Sequence, residues 1–163
     1  MWNRVFLIAL IVAILPMAFL TYYSWDWLSS IGSPAGVVEN FAFYSSMAWG
    51  FLWISTVLLL ILANVTLWQS RRSLALWTTL VYFVAFVAIK YFWLERSFST
   101  YLTANGINEK GIASGILFAV ILCVAAVVLV FFNELIAVRL NKKIYPPVEP
   151  QPDIPRPNEN TGE

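Results

Sequence analysis

Histidine is absent from the 163 residues and cysteine occurs once, at Cys123. Those two shortages remove the usual ligands of zinc, copper, haem iron and iron–sulfur clusters. A redox centre held by this chain alone is not expected, and no intrachain disulfide can form. Charge is scarce as well, at 12% of residues against 60% hydrophobic, a balance that would aggregate in water but suits a membrane domain. Missing too are a Ser or Cys nucleophile with a base, paired carboxylates, a P-loop, a dinucleotide fingerprint and a basic stripe for nucleic acid. No familiar catalytic motif points to an enzyme, and nucleic acid is not expected as a partner.

What the chain does have is four apolar stretches nearly free of charge, at residues 5–22, 47–68, 74–93 and 112–132. Each has the length at which an α-helix crosses a hydrocarbon layer of roughly 30 Å. Inside lipid the backbone must satisfy its own hydrogen bonds, so helices are the expected solution. The fold class is therefore an all-α membrane protein, with four transmembrane helices in an antiparallel bundle over residues 1–145. The first stretch, with Arg4 ahead of it, resembles the start of a signal peptide, but no A-x-A-like site follows and the apolar run continues past Pro16. It is expected to stay as a span. Pro16 removes one backbone bond there and is expected to shape packing by a kink.

Cations near the stretch ends divide unevenly. Arg4, Arg71, Arg72, Arg139, Lys142 and Lys143 fall on one side, and Arg96 and Lys110 on the other, with Lys90 close to that second surface. The positive-inside bias then places both termini in the cytoplasm, and the four-span count is consistent with this because an even number returns the chain to its starting side. A bacterial inner membrane is the expected location. Residues 69–73 form too short a connection for anything but a helical hairpin, with Ser70 or Ser73 available to cap the next helix. The connections at 23–46 and 94–111 are longer and are expected to lie along the membrane surface. They carry Trp25, Trp27, Phe41, Phe43, Tyr44, Phe98 and Tyr101, read as an interfacial belt, and an Asn105-Gly106 turn pair. From Pro146 onward the chain turns proline-dense and loses its large apolar residues, so 146–163 is expected to be a disordered cytoplasmic tail.

The middle of every stretch is apolar, which argues against an ion or proton path within one chain. A small multidrug transporter also has four helices, but it would need an acidic residue that 5–22 lacks. Lys90 is the one cation inside a nominal span, expected to reach the headgroups or to pair with Asp26, Glu39 or Glu95. At the opposite depth Asn64, Thr78, Thr79, Asn133 and Glu134, with Arg71 and Arg72, form a candidate polar cluster. Interhelical hydrogen bonding is its expected role, worth roughly 0.6–2 kcal/mol per contact. Gly111, Gly115, Ala119 and Cys123 recur every four residues and make a small-residue groove for close helix packing, within this chain or with another. Asn64-Val65-Thr66 fits a glycosylation acceptor formally but lies at the membrane edge.

These features favour a non-enzymatic accessory or scaffold subunit of a larger membrane complex, in contact with other subunits or its own copies, and with lipid, quinone or pigment. Two alternatives stay open. One is a small oligomeric transporter or channel whose path forms between copies. The other is a lipid- or quinone-modifying enzyme built on Glu134 and its polar neighbours.

Overall fold

The computed structural model describes residues 2–30, 33–70, 73–107 and 112–144. Among these residues every regular element is helical: α1 (Trp2–Ser29), α2 (Pro34–Ser70), α3 (Leu74–Ala88), a π-helical segment (Ile89–Leu94), α4 (Glu95–Ala104) and α5 (Ile112–Ile144). The α3, π and α4 elements follow without a break. Four helical runs are therefore long and apolar enough to cross a membrane. The tail read from the sequence at 146–163, and Arg71 and Arg72, lie outside the described residues.

The helices run beyond the apolar stretches. With a rise of about 1.5 Å per residue, the 37 residues of α2 extend about 55 Å and the 28 of α1 about 42 Å. The connection expected at 23–46 is mostly helix, because α1 continues to Ser29 and α2 begins at Pro34. Local chemistry sets both ends. Ser29 and Ser30 hydroxyls donate to the Asp26 and Trp27 carbonyls. Ser33 accepts the Gly36 N–H at its Oγ, and its carbonyl accepts the Val37 N–H at 3.1 Å. A serine cap followed by proline in the first helical position is a strong helix start, since the missing proline N–H is one that needs no partner.

The connection expected at 94–111 is also largely helical. The π segment carries the chain past Trp93, with the Glu95 N–H reaching five residues back to the Lys90 carbonyl. α4 then stops at the anticipated Asn105-Gly106 pair. Gly106 takes φ 71°, its N–H bonds the Thr103 carbonyl, and the Ile107 N–H bonds the Leu102 carbonyl at 2.9 Å. This double closure satisfies orphan carbonyls through a left-handed residue that glycine adopts without a Cβ clash. At the start of α3, Ser73 makes no side-chain cap; its carbonyl accepts the Leu76 and Trp77 N–H groups instead.

The core runs along the contacts of α1 with α2 and of α2 with α3. Phe6, Ala13 and Met17 come from α1, Leu52, Leu59 and Ala63 from α2, and Leu76, Leu80 and Val87 from α3. Helical spacing puts each set on one face. Buried hydroxyls bond their own backbone: Ser24 to the Leu20 carbonyl at 2.6 Å and Thr79 to that of Ala75 at 2.9 Å. The last span is the least enclosed, with 11% of its apolar window buried against 33% for α2. Its outward residues, including Leu117, Ile121, Val124 and Phe132, are bulky and exposed. Such a surface is unfavourable in water and ordinary against hydrocarbon.

Candidate functional site

The small-residue groove of the last span is occupied within the chain. A Cβ placed on Gly115 would stand 3.4 Å from Cδ1 and Cε1 of the Tyr91 ring, in ordinary contact. Ala119 is fully buried below it and Cys123 is half-buried. Gly111 lies outside the described residues. The groove thus seats α5 on the π segment, whose wide turn carries Tyr91.

The candidate polar cluster divides into separate contacts. Asn133 Nδ2 donates to Asn64 Oδ1 at 2.9 Å, and Asn64 Nδ2 donates to the Leu60 carbonyl at 2.9 Å, joining α5 to α2. Trp77 Nε1 donates to Glu134 Oε2 at 3.1 Å, joining α3 to α5. Thr78 and Thr79 turn away from these pairs onto the carbonyls of Leu74 and Ala75. Sequence reasoning did not name Trp77 as the partner of Glu134, and it missed a third interhelical contact, the buried 2.8 Å bond between the Ser55 and Tyr82 hydroxyls. Ser55 also bonds the Phe51 carbonyl at 2.7 Å, so Tyr82 is the donor. A lone serine and a lone tyrosine in separate apolar runs gave no sign that they meet.

Lys90 sits deeper along its helix than its distance from Trp93 implied, because the helical run continues to Ala104. Its ammonium lies 4.7 Å from the Trp49 ring centroid and 5.8 Å from that of Tyr91. An aromatic face held across the helix interface takes the place of the ion pair considered with Asp26 or Glu39; Glu95 contributes an attractive field. Beside the ammonium is a cavity of about 10 Å³ lined by Thr21, Ser45, Trp49 and Leu52. That is room for about one water, and the two hydroxyls and the ammonium supply the polar partners one requires.

Several of the aromatics expected as a belt pair between helices. Phe41 stacks on Phe98 at 4.2 Å and 7°, Trp25 on Trp93 at 5.6 Å and 26°, and Tyr23 meets Tyr44 edge-on at 4.8 Å. Together they fasten the ends of α1, α2 and α4. Stacked and edge-to-face rings add about 0.5–1.5 kcal/mol each beyond their burial. A shallow recess of about 350 Å³ opens between Trp25 and Leu28 of α1 and Ser97, Thr100 and Tyr101 of α4. The Trp27 indole N–H is buried without a partner among the described residues.

A second concavity is apolar. A trough of about 190 Å³ runs between α2, α3 and α5, bounded by Trp53, Leu60, Phe83, Ala125, Ala126 and Leu129. The Thr56 hydroxyl oxygen lies in its wall, shielded and unpartnered. Comparison with protein-family models, with curated proteins and with solved structures finds no match. The site is therefore read from its own geometry. Among the described residues, the Asn64–Asn133, Trp77–Glu134 and Ser55–Tyr82 contacts hold helices together, and the concavities include a water-sized pocket, an open recess and a mainly apolar trough.

Proposed function

We propose that this chain is an integral-membrane accessory subunit, a four-helix antiparallel bundle with cytoplasmic termini in a bacterial inner membrane, whose task is to pack against other membrane subunits. The observation that carries the reading lies on α2. Ala42, Ser46 and Gly50 recur every four residues, all exposed, and a Cβ on Gly50 would meet nothing within 4 Å. Small residues on one face let a second helix backbone approach closely, and they are enriched where membrane helices associate. The comparable row on α5 is already filled by Tyr91. The α2 face is thus a packing surface with no counterpart in the described chain.

The exposed surfaces of α1 and α5 are bulky and suit lipid, so the partner belongs on the α2 notch. Gly50→Leu should fill it without touching the chain's own contacts. In mild detergent, the expected result is loss of most co-migrating subunits at an unchanged melting temperature, whereas Ile54→Leu keeps the assembly. Equal recovery of the assembly from both variants would remove the α2 face from consideration. Co-migration of further copies of this chain alone would convert the subunit reading into self-association.

A further inference from the structure

We propose that the trough between α2, α3 and α5 binds one acyl chain of a glycerophospholipid, with its ester region at the Asn64–Asn133 pair and its phosphate toward Arg139. The inference rests on the chain's spanning a bilayer and not on the subunit role.

Size restricts the occupant first. An apolar cavity of about 150 Å³ stays dry and takes a benzene, and ligand sites for larger organic molecules begin at about 300 Å³. At about 190 Å³ the trough has room for a section of one hydrocarbon chain. Its long axis, from Trp53 to Leu60, is about 10 Å by helical rise. Every wall lies within a span apolar enough to cross a membrane, so hydrocarbon is the medium from which it fills.

The polar end identifies the rest of the molecule. Leu60 and Leu129 border the trough, and one turn farther along their helices stand Asn64 and Asn133. Each amide carries two N–H donors. One of Asn133 is used on Asn64 and one of Asn64 on the Leu60 carbonyl, which leaves one N–H on each amide without an acceptor among the described residues. Ester carbonyls are acceptors only and match that surplus. Six residues beyond Asn133, about 9 Å along the helix, Arg139 is exposed and supplies a cation for a phosphodiester. The sequence of chain, ester and phosphate repeats the order of apolar wall, amide pair and guanidinium.

The probe is phosphatidylglycerol carrying a diazirine midway along one acyl chain, diluted into phosphatidylcholine nanodiscs holding the full-length protein. Photolysis should place adducts mainly on the less exposed lining residues Leu60, Leu122 and Val130, with far fewer on the outward Ile121 and Val128 of α5. Ala126→Phe and, on a more exposed wall, Val57→Trp should each cut trough adducts about tenfold and leave those on Ile121 and Val128 unchanged. Melting temperatures show that either variant has folded. Arg139→Gln should reduce the phosphatidylglycerol carried through detergent purification several-fold relative to phosphatidylcholine. Even labelling of trough and outward residues would overturn the site, as would an unlabelled trough beside a labelled Ile121, which signifies a protein cover. Unchanged lipid retention in Arg139→Gln would overturn the phosphate assignment. Gly50→Leu leaves the trough labelling intact, so loss of the partner assembly and loss of the lipid site are separately readable.

Discussion

At the scale of single residues, the interior is fixed by a few polar contacts between otherwise apolar helices. Lys90 was visible in the sequence as the one cation inside a span, but its partner was not. A ring contact depends on which residue of α2 stands at its height, and apolar composition leaves the register between helices open. The Trp49 face supplies attraction of about 0.5–2 kcal/mol for a desolvated cation. A double-mutant cycle with Lys90→Met and Trp49→Leu, measured by unfolding in a denaturing detergent, should therefore return a coupling of that order. Additive losses would show that the ammonium ignores the ring. Tyr82→Phe should cost about 0.5–1.5 kcal/mol, since it removes the donor to a buried Ser55 oxygen. The Ser55 hydrogen stays on the Phe51 carbonyl, so Ser55→Ala combined with Tyr82→Phe should add little to the loss from Tyr82→Phe alone. A much larger loss in the double variant would mean that the Ser55 bond to its own backbone carries the stability.

At the scale of elements, hydropathy located the four spans and misjudged where helices stop. A bilayer selects for apolar side chains over about 30 Å, whereas a helix ends only where capping chemistry ends it. For α1 and α2 that chemistry is at Ser29, Ser30, Ser33 and Pro34, past the end of the first apolar run and ahead of the second. The aromatic pairs hold the extensions together, and sequence alone could not separate such pairs from an interfacial belt because both need the same residue types. The small-residue row on α5 was legible as a packing groove; its occupant, Tyr91, was not, because it sits on a π turn with no sequence marker. Gly115→Leu should drive atoms into the Tyr91 ring and destabilise the isolated chain by about 1–3 kcal/mol, the cost of overpacking. Ile116→Leu, on the exposed side, should leave the melting point within error. Equal melting points for the two would place α5 away from Tyr91.

At the scale of the whole molecule, one end can be defined from contacts alone. Trp25 and Ser29 of α1 and Thr100 and Ala104 of α4 line the same recess, so the ends of α1 and α4 share a side. Arg96 is the cation on the described part of that side, while Arg4 and Arg139 belong to the opposite ends of α1 and α5. Counted over the full sequence, the second group gains Arg71, Arg72, Lys142 and Lys143, and cation-rich segments resist translocation. The recess is therefore proposed to face away from the cytoplasm. With Cys123 replaced by alanine, cysteines introduced at Ser30 and Asn105 should react with a membrane-impermeant maleimide in intact cells. One at Asn158 should react only after the membrane is opened. Both recess-side positions must behave alike if α1 and α4 end together, whatever the orientation, which makes the pair an internal check on the fold. Reaction at Asn158 in intact cells, with Ser30 and Asn105 silent, would invert the orientation while preserving the helix arrangement, and reaction at only one of Ser30 and Asn105 would contradict the arrangement itself.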